Sequence, residues 1–334
     1  MDWPAMRRFW TTSETLRILG LLLLGQLVAF TTALMSLTSS LIAKHGIDAP
    51  LSQSLLTYVS LALVYGSILL YSHHQILVSW YWYLLLAFAD VQGNYLVNKA
   101  YQFTTITSVT LLDCWTIPWV IILTWIFIGT RYSLWKLGGA AICVLGLCLV
   151  MFSDAWDKKG GGSKPILGDV LVIVGTIFYA ISNVGEEFCV KKKHLVEVVA
   201  MLGVYGLLVT IVEVSIIELT ALESVKWSVD IVLAFVGYGL ASFMFYVLTP
   251  IVLKMSGAAM FNLSLLTSDM WAVVIKVFLY HQEVDWLYFV SFAIVVVGLV
   301  IYSLVGKDSG PAPTTEDGNV NTEYQRIYGE STTS

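Results

Sequence analysis

Apolar residues fill this chain in long unbroken runs, and polar residues fall mostly in the short gaps between them. The runs cover residues 16–43, 52–72, 81–101, 105–128, 134–152, 166–190, 194–218, 229–253, 256–280 and 285–305. Each is close to the ~20 apolar residues that carry a helix across a bilayer. The runs are continuous rather than alternating, which excludes a membrane barrel. The pattern therefore predicts an all-α membrane protein with ten transmembrane helices. Trp80, Tyr81, Trp82 and Tyr83 open the third run, where amphipathic rings prefer the membrane–water boundary.

Five runs lie in residues 16–152 and five in 166–305, joined by the Gly- and Lys-containing linker 153–165. Residues 117–151 align without gaps on 269–303 at an offset of 152, so that Trp119 meets Trp271 and Gly146 meets Gly298. A repeat with an odd number of spans must insert upside down relative to its partner. The expectation is two inverted five-helix repeats, an arrangement recurrent among secondary transporters. Ten spans put residues 1–15 and 306–334 on one side. That side carries eleven of the eighteen Lys and Arg, the other side six, with Lys276 inside the ninth run. The positive-inside rule then predicts cytosolic termini. The first run follows Arg7, Arg8 and Arg17 and is too long for a signal-peptide core of ~7–15 residues, so it is expected to remain as a span. The tail, polar and broken by Pro311 and Pro313, is expected to be disordered.

Composition agrees. The chain is 57% hydrophobic and 12% charged, with mean hydropathy +0.79, whereas soluble domains sit near 25% charged. No basic patch exists that would recruit nucleic acid. Cys114, Cys143, Cys148 and Cys189 all lie in apolar runs without Cys-x-x-Cys spacing, and read as small buried hydrophobes. No phosphate loop, dinucleotide fingerprint, nucleophile elbow or zinc-binding helix motif occurs. His73, His74 and His281 have no metal-ligand spacing. Neither an enzyme nor a cofactor or metal is implied. Asn262-Leu263-Ser264 matches a glycosylation sequon but lies within a span.

What changes the picture is the set of polar residues inside the runs. Asp90, Asn94, Asn98 and Tyr101 are spaced 4, 4 and 3 and share one helix face. Asn262, Asp269 and Lys276 are spaced 7 and 7 in the ninth run. Tyr179, Ser182 and Glu186 share a face of the sixth, with Asn183 and Glu187 turned about 100° from the last two. Thr110, Asp113 and Thr116 repeat every third residue of the fourth, just before Pro118. A charge at mid-helix costs about 2.5–3.5 kcal/mol on insertion scales. Stripes on several helices therefore predict a shared polar interior, serving either a solute cavity or interhelical bonding alone. Lys99, Lys276 and the Lys191–Lys193 cluster stand near span ends, where they can reach the interface. Trp115 and Trp119 are face neighbours that would either stack on a solute or serve as packing.

These same strings resemble the F subfamily of solute carrier family 35, in the drug/metabolite transporter superfamily. The resemblance runs through most of residues 16–305. It is carried by ADVQGNYLVNKAYQFTTITSVTLLDCWTIP, LGDVLVIVGTIFYAISNVGEEFCVKK and FNLSLLTSDMW. It implies ten helices in two inverted repeats, and transport of a small organic solute. The positions it carries over include Asp90, Asn94, Tyr101, Asp113, Tyr179, Asn183, Glu186, Glu187, Asn262 and Asp269. Gly93 departs from the related pattern and is expected to bear on packing rather than on a site.

Within the wider family nucleotide-sugar antiport is one alternative. A diphosphate favours forked Arg, and this interior offers no Arg against six carboxylates. A neutral or cationic solute, such as a nucleobase- or nucleoside-like heterocycle, fits the balance better. The expected substrate-binding set is Asp90, Asn94, Asn98, Tyr101, Asp113, Tyr179, Asn183, Glu186, Asn262 and Asp269. Desolvation favours the neutral form of a carboxylic acid, which makes Asp269 or Asp90 the candidate carrier of a coupling proton. A membrane scaffold or receptor is the reading from another class. The expected partners are thus a small-molecule solute, the lipid bilayer and a coupling proton. Endomembrane, vacuolar and plasma membranes all fit.

Overall fold

The computed structural model describes residues 12–72, 79–104, 109, 112–157, 165–192, 194–223, 225, 227–268, 270–271, 274–275 and 286–304. Among them regular structure is helical throughout, with no strand. That is what lipid demands, since a helix satisfies its own backbone groups where water cannot. The elements are α1 (Thr12–Lys44), α2 (Pro50–Tyr71), α3 (Trp80–Ala100), α4 (Thr116–Leu123, continued by a π-turn Thr124–Ile128), α5 (Leu134–Asp157) and α6 (Pro165–Lys192). Then come α7 (Leu195–Glu213, carried through a π-turn Val214–Glu218 to Glu223), α8 (Val229–Ser256), α9 (Ala258–Leu265) and α10 (Trp286–Leu304).

Among the described residues five helices are long and apolar enough to cross a membrane: Ile18–Lys44, Pro50–Tyr71, Ile166–Lys192, Leu195–Glu223 and Val229–Ser256. Helix α3, one residue shorter than α2, is not among them, because Asp90, Gln92, Asn94, Asn98 and Lys99 dilute its apolar character. Large apolar side chains such as Leu63, Leu70, Trp125, Phe127, Trp135 and Ile216 face outward, as a lipid-facing surface requires.

Helix ends follow local chemistry. Pro50 opens α2, where its missing N–H is no loss. The next donors, the Leu51 and Ser52 amides, are taken by Glu218 Oε1 and Oε2 at 2.6 and 2.9 Å. Ser228 caps α8 through the Ile231 amide at 3.4 Å. Gly129, at φ 74°, ends the π-turn of α4 in the left-handed region that glycine tolerates. Pro118 sits in the first turn of α4, where amides have no intrahelical partner, so it marks a helix start rather than a kink. Pro250 lies inside α8.

Two expected spans are not continuous helices. In the run 105–128 the chain turns at Cys114–Trp115 before α4 begins. In the run 256–280 it turns at Leu266–Thr267 after α9. The two turns lie 152 residues apart, the offset at which the sequence aligns with itself. The Leu266–Thr267 turn ends the helix that holds Asn262, and Asp269 lies outside the described residues.

The helices pack chiefly in pairs, α1 with α8, α2 with α7, α3 with α6 and α5 with α10, while α4 lies mainly on α6 and α9 mainly on α1, with a smaller contact between α4 and α9. Close approach of α5 and α10 depends on glycine. A Cβ on Gly298 would lie 2.5 Å from Cys143 Sγ, and one on Gly139 would lie 2.9 Å from the Tyr302 amide nitrogen. The largest apolar cluster joins Val28, Tyr83, Val120, Cys143, Leu253, Phe261 and Val295, drawn from helices of both halves. All four cysteines are free; three are buried and Cys148 is half-buried.

Candidate functional site

Midway along α3, Asp90 points into the bundle and is buried. Its carboxylate collects hydroxyls from three other helices. Tyr58 of α2 donates to Oδ2 at 2.7 Å, Tyr246 of α8 donates to the same oxygen at 2.5 Å, and Ser182 of α6 donates to Oδ1 at 3.3 Å. One turn on, Asn94 completes a ring. Its Nδ2 donates to Tyr246 and Tyr58 at 2.8 and 3.1 Å, and its Oδ1 accepts from Tyr179 of α6 at 3.1 Å. Each of Tyr58 and Tyr246 thus donates to the acid and accepts from the amide, the full use of a phenol. Another turn along, Asn98 donates to Tyr238 of α8 at 3.2 Å and accepts from Ser39 of α1 at 3.4 Å. The stripe on α3 meets partners on α1, α2, α6 and α8.

Glycines make room for two of these tyrosines. A Cβ on Gly206 of α7 would lie 2.5 Å from the Tyr58 ring. A Cβ on Gly93 would lie 2.7 Å from the Tyr179 ring. Gly93 thus bears on packing, and the side chain it admits is Tyr179, which donates to Asn94.

The remaining candidates divide. Asn183 donates to Asn262 Oδ1 at 3.1 Å, and Asn262 donates to the Ala258 carbonyl at 2.8 Å, which ties α6 to the start of α9. Glu186 is buried, with Asp90 as an electrostatic neighbour. Glu187 leaves the interior face: it accepts from the Ala258 amide at 2.7 Å and pairs with Lys191. Tyr101 stands just past α3 and lines a cavity at that end instead of joining the ring. Asp113 accepts from Thr116 of its own turn at 3.4 Å and is not bonded to the ring. Asp269 and Lys276 lie outside the described residues, as does Thr110.

Tyr58, Tyr238 and Tyr246 are the site residues that sequence reasoning missed. A tyrosine counts as apolar in a hydropathy profile, so nothing in α2 or α8 flags them. The available signal was a phenol near the middle of a long apolar run, where the hydroxyl needs a partner. Trp271, by contrast, is anchored at its indole nitrogen by Gln26 Oε1 at 3.0 Å. Its repeat counterpart Trp119 has no partner for Nε1 among the described residues. Trp115 is exposed.

The interior is short of cations. Every described Lys and Arg lies in a loop or within two turns of a helix end. Lys99 and Gln102 both bond Asp48 at the end of the bundle where α1 stops and α2 starts.

Comparison with known proteins places this arrangement. A sequence model of the family described as solute carrier family 35 matches residues 14–304. The chain belongs to solute carrier family 35. It is 34% identical over 294 residues to solute carrier family 35 member F2 of Mus musculus, covering 85% of this chain and 78% of that protein. To the Xenopus tropicalis protein of the same name it is 34% identical over 293 residues, covering 84% and 75%. An uncharacterised solute carrier family 35 member of Schizosaccharomyces pombe is 34% identical over 262 residues, or 76% of this chain and 52% of that one. A solved crystal structure superposes with TM-score 0.64 at 17% identity, covering 84% of this chain and 99% of that one, a likeness of fold alone. The family is one of multi-pass membrane transporters, and its members matched here are solute carriers rather than enzymes.

Proposed function

We propose that this solute carrier is a secondary transporter of a neutral or cationic small organic solute, working by alternating access about the Asp90 ring. The observation that carries the reading is a buried carboxylate at mid-helix, bonded by hydroxyls of α2, α6 and α8. A second buried acid, Glu186, lies nearby, and no described Lys or Arg neutralises them. Such a site attracts a positive or hydrogen-bond-donating solute and repels phosphate.

The packing supports two inverted five-helix repeats. Exchange of the halves turns the α1·α8 pair into α6·α3 and maps α2·α7, α4·α9 and α5·α10 onto themselves. The interrupted spans at Cys114–Trp115 and Leu266–Thr267 recur at the repeat offset. Discontinuous helices near a midplane site are characteristic of such transporters. The Lys and Arg distribution supports cytosolic termini.

The test is a ligand-induced thermal-shift screen on the purified protein with organic cations, nucleobases, nucleosides and nucleotide sugars, repeated with Asp90→Asn. Stabilisation by a cation or uncharged heterocycle, lost in the variant, is expected. Stabilisation by nucleotide sugars alone overturns the proposed solute class. Uptake into proteoliposomes that is the same with and without a pH gradient excludes a coupling proton.

A further inference from the structure

A cavity of about 480 Å³ opens between the end of α1 and the turn that follows α3, lined by Ser40, Ala43, Asp48, Tyr101, Gln102 and Thr104 among others. Its volume falls within the ~300–1,000 Å³ of small-molecule sites. From Tyr101 the polar face of α3 leads inward through Asn98 and Asn94 to Asp90. The bond from Asp48 to Lys99 and Gln102 forms part of its rim. By the orientation proposed above, this is the non-cytosolic end.

Exchange of the halves sends the end of α1 to the end of α6, and the turn after α3 to the α8–α9 junction. At that cytosolic junction side chains and backbone close on one another. Glu187 Oε2 accepts from the Ala258 amide at 2.7 Å, and its other oxygen pairs with Lys191. Gly257, at φ 83°, brings the backbone so close that a Cβ there would lie 2.8 Å from Glu187 Oε1. The Asn183–Asn262 bond closes the next turn inward. Glu187 stands five residues before Lys192, the last residue of α6; five residues before Lys44, the last of α1, stands Ser39. Serine is too short to span the same gap, and Ser39 is engaged by Asn98 instead.

We infer that the cavity is the outer mouth of the solute route, open in this structure, and that Glu187 is the latch that holds the matching cytosolic mouth shut. The inference rests on the alternating-access reading. A solute enters past Asp48 and Tyr101, descends the α3 face to Asp90, and leaves toward the cytosol only after Glu187 releases the Ala258 amide. The latch joins one half of the chain to itself, α6 to α9, so its release frees α9 without breaking the Asp90 ring. A carboxylate on a helix-start amide is a strong acceptor, and its removal shifts the balance between the two mouths.

The test uses the full-length protein in sealed membrane vesicles of both orientations. The probe is a membrane-impermeant methanethiosulfonate bearing a trimethylammonium group. Ser40→Cys is expected to react from the non-cytosolic face. Ala259→Cys, buried just inside the latch, is expected to stay unreactive from the cytosolic face. Adding Glu187→Ala is expected to raise Ala259→Cys labelling about tenfold, a shift of about 1.4 kcal/mol, and to lower Ser40→Cys labelling. Glu187→Gln, which keeps an acceptor oxygen, is expected to fall between. A rise at both cysteines overturns the latch, since it reports loosening rather than exchange. A Ser40→Cys that reacts from neither face overturns the mouth. Reaction of Ser40→Cys from the cytosolic face supports the mouth and overturns the orientation instead.

Discussion

Removing a hydroxyl from the Asp90 ring gives a result that depends on which other hydroxyl is present. Tyr246→Phe deletes the 2.5 Å bond to Asp90 and the acceptor for Asn94 at 2.8 Å. Asp90 keeps Tyr58 and Ser182, and Asn94 Nδ2 keeps Tyr58. Tyr58→Phe deletes a 2.7 Å and a 3.1 Å bond and leaves Tyr246 to serve both groups. Polar bonds between membrane helices average about 0.6 kcal/mol with a ceiling near 1.7. The bonds here are short and made to an acid, so each single substitution is expected to cost about 1–2 kcal/mol. The double substitution leaves Asn94 Nδ2 with no acceptor in the ring and Asp90 with Ser182 alone. An unmade bond in a buried site costs more than an average one, so the double variant is expected to exceed the sum of the singles by about 1 kcal/mol. Equilibrium unfolding in mixed detergent micelles measures all three. Additivity within about 0.3 kcal/mol would refute the ring, because it would mean that the two phenols do not share the acid and the amide.

Other outcomes follow from single contacts. Gly206→Ala and Gly93→Ala each press a methyl group into a tyrosine ring of the site, and are expected to lose about 1–3 kcal/mol in the same unfolding assay. Both should also weaken whatever solute the thermal-shift screen identifies. Glu218→Ala strips the Leu51 and Ser52 amides of their acceptor, at a cost of about 1–2 kcal/mol. Glu218→Gln should recover at least half of that, and equal losses would exclude a capping role. The Lys99–Asp48 pair is partly exposed, with side-chain accessibilities of 21% and 47%. Lys99→Met should therefore change stability by no more than about 1 kcal/mol, an effect that shrinks further in high salt.

Much of this molecule was legible in the chain. Continuous apolar runs, too long for a soluble core and not alternating, leave helices across a bilayer as the physical solution. The boundaries read from those runs fall within a few residues of the helix ends where each run is one helix. The stripe Asp90–Asn94–Asn98 was legible for the same reason: fourfold spacing fixes a shared face whatever packs against it. The helix breaks at Cys114–Trp115 and Leu266–Thr267 recur at the sequence offset of 152.

What the chain alone could not decide was where a run stops being one helix and which side chains meet. Cys114–Trp115 and Leu266–Thr267 are apolar, or nearly so, and carry no Gly or Pro, so hydropathy reads straight through both turns. Helical spacing read across Leu266–Thr267 assumes one continuous helix, and the chain turns there instead. Tyr58, Tyr238 and Tyr246 were hidden because a tyrosine side chain is mostly apolar, and only its neighbours reveal the hydroxyl's task. Glu186 and Glu187 are adjacent and chemically identical. Tertiary packing alone separates them, setting one in the interior beside Asp90 and the other on a helix start beside Lys191. Local sequence determines span, spacing and face. The choice of partners across helices is a property of the packed bundle, because it depends on distances between segments that lie from 32 to 156 residues apart in the chain.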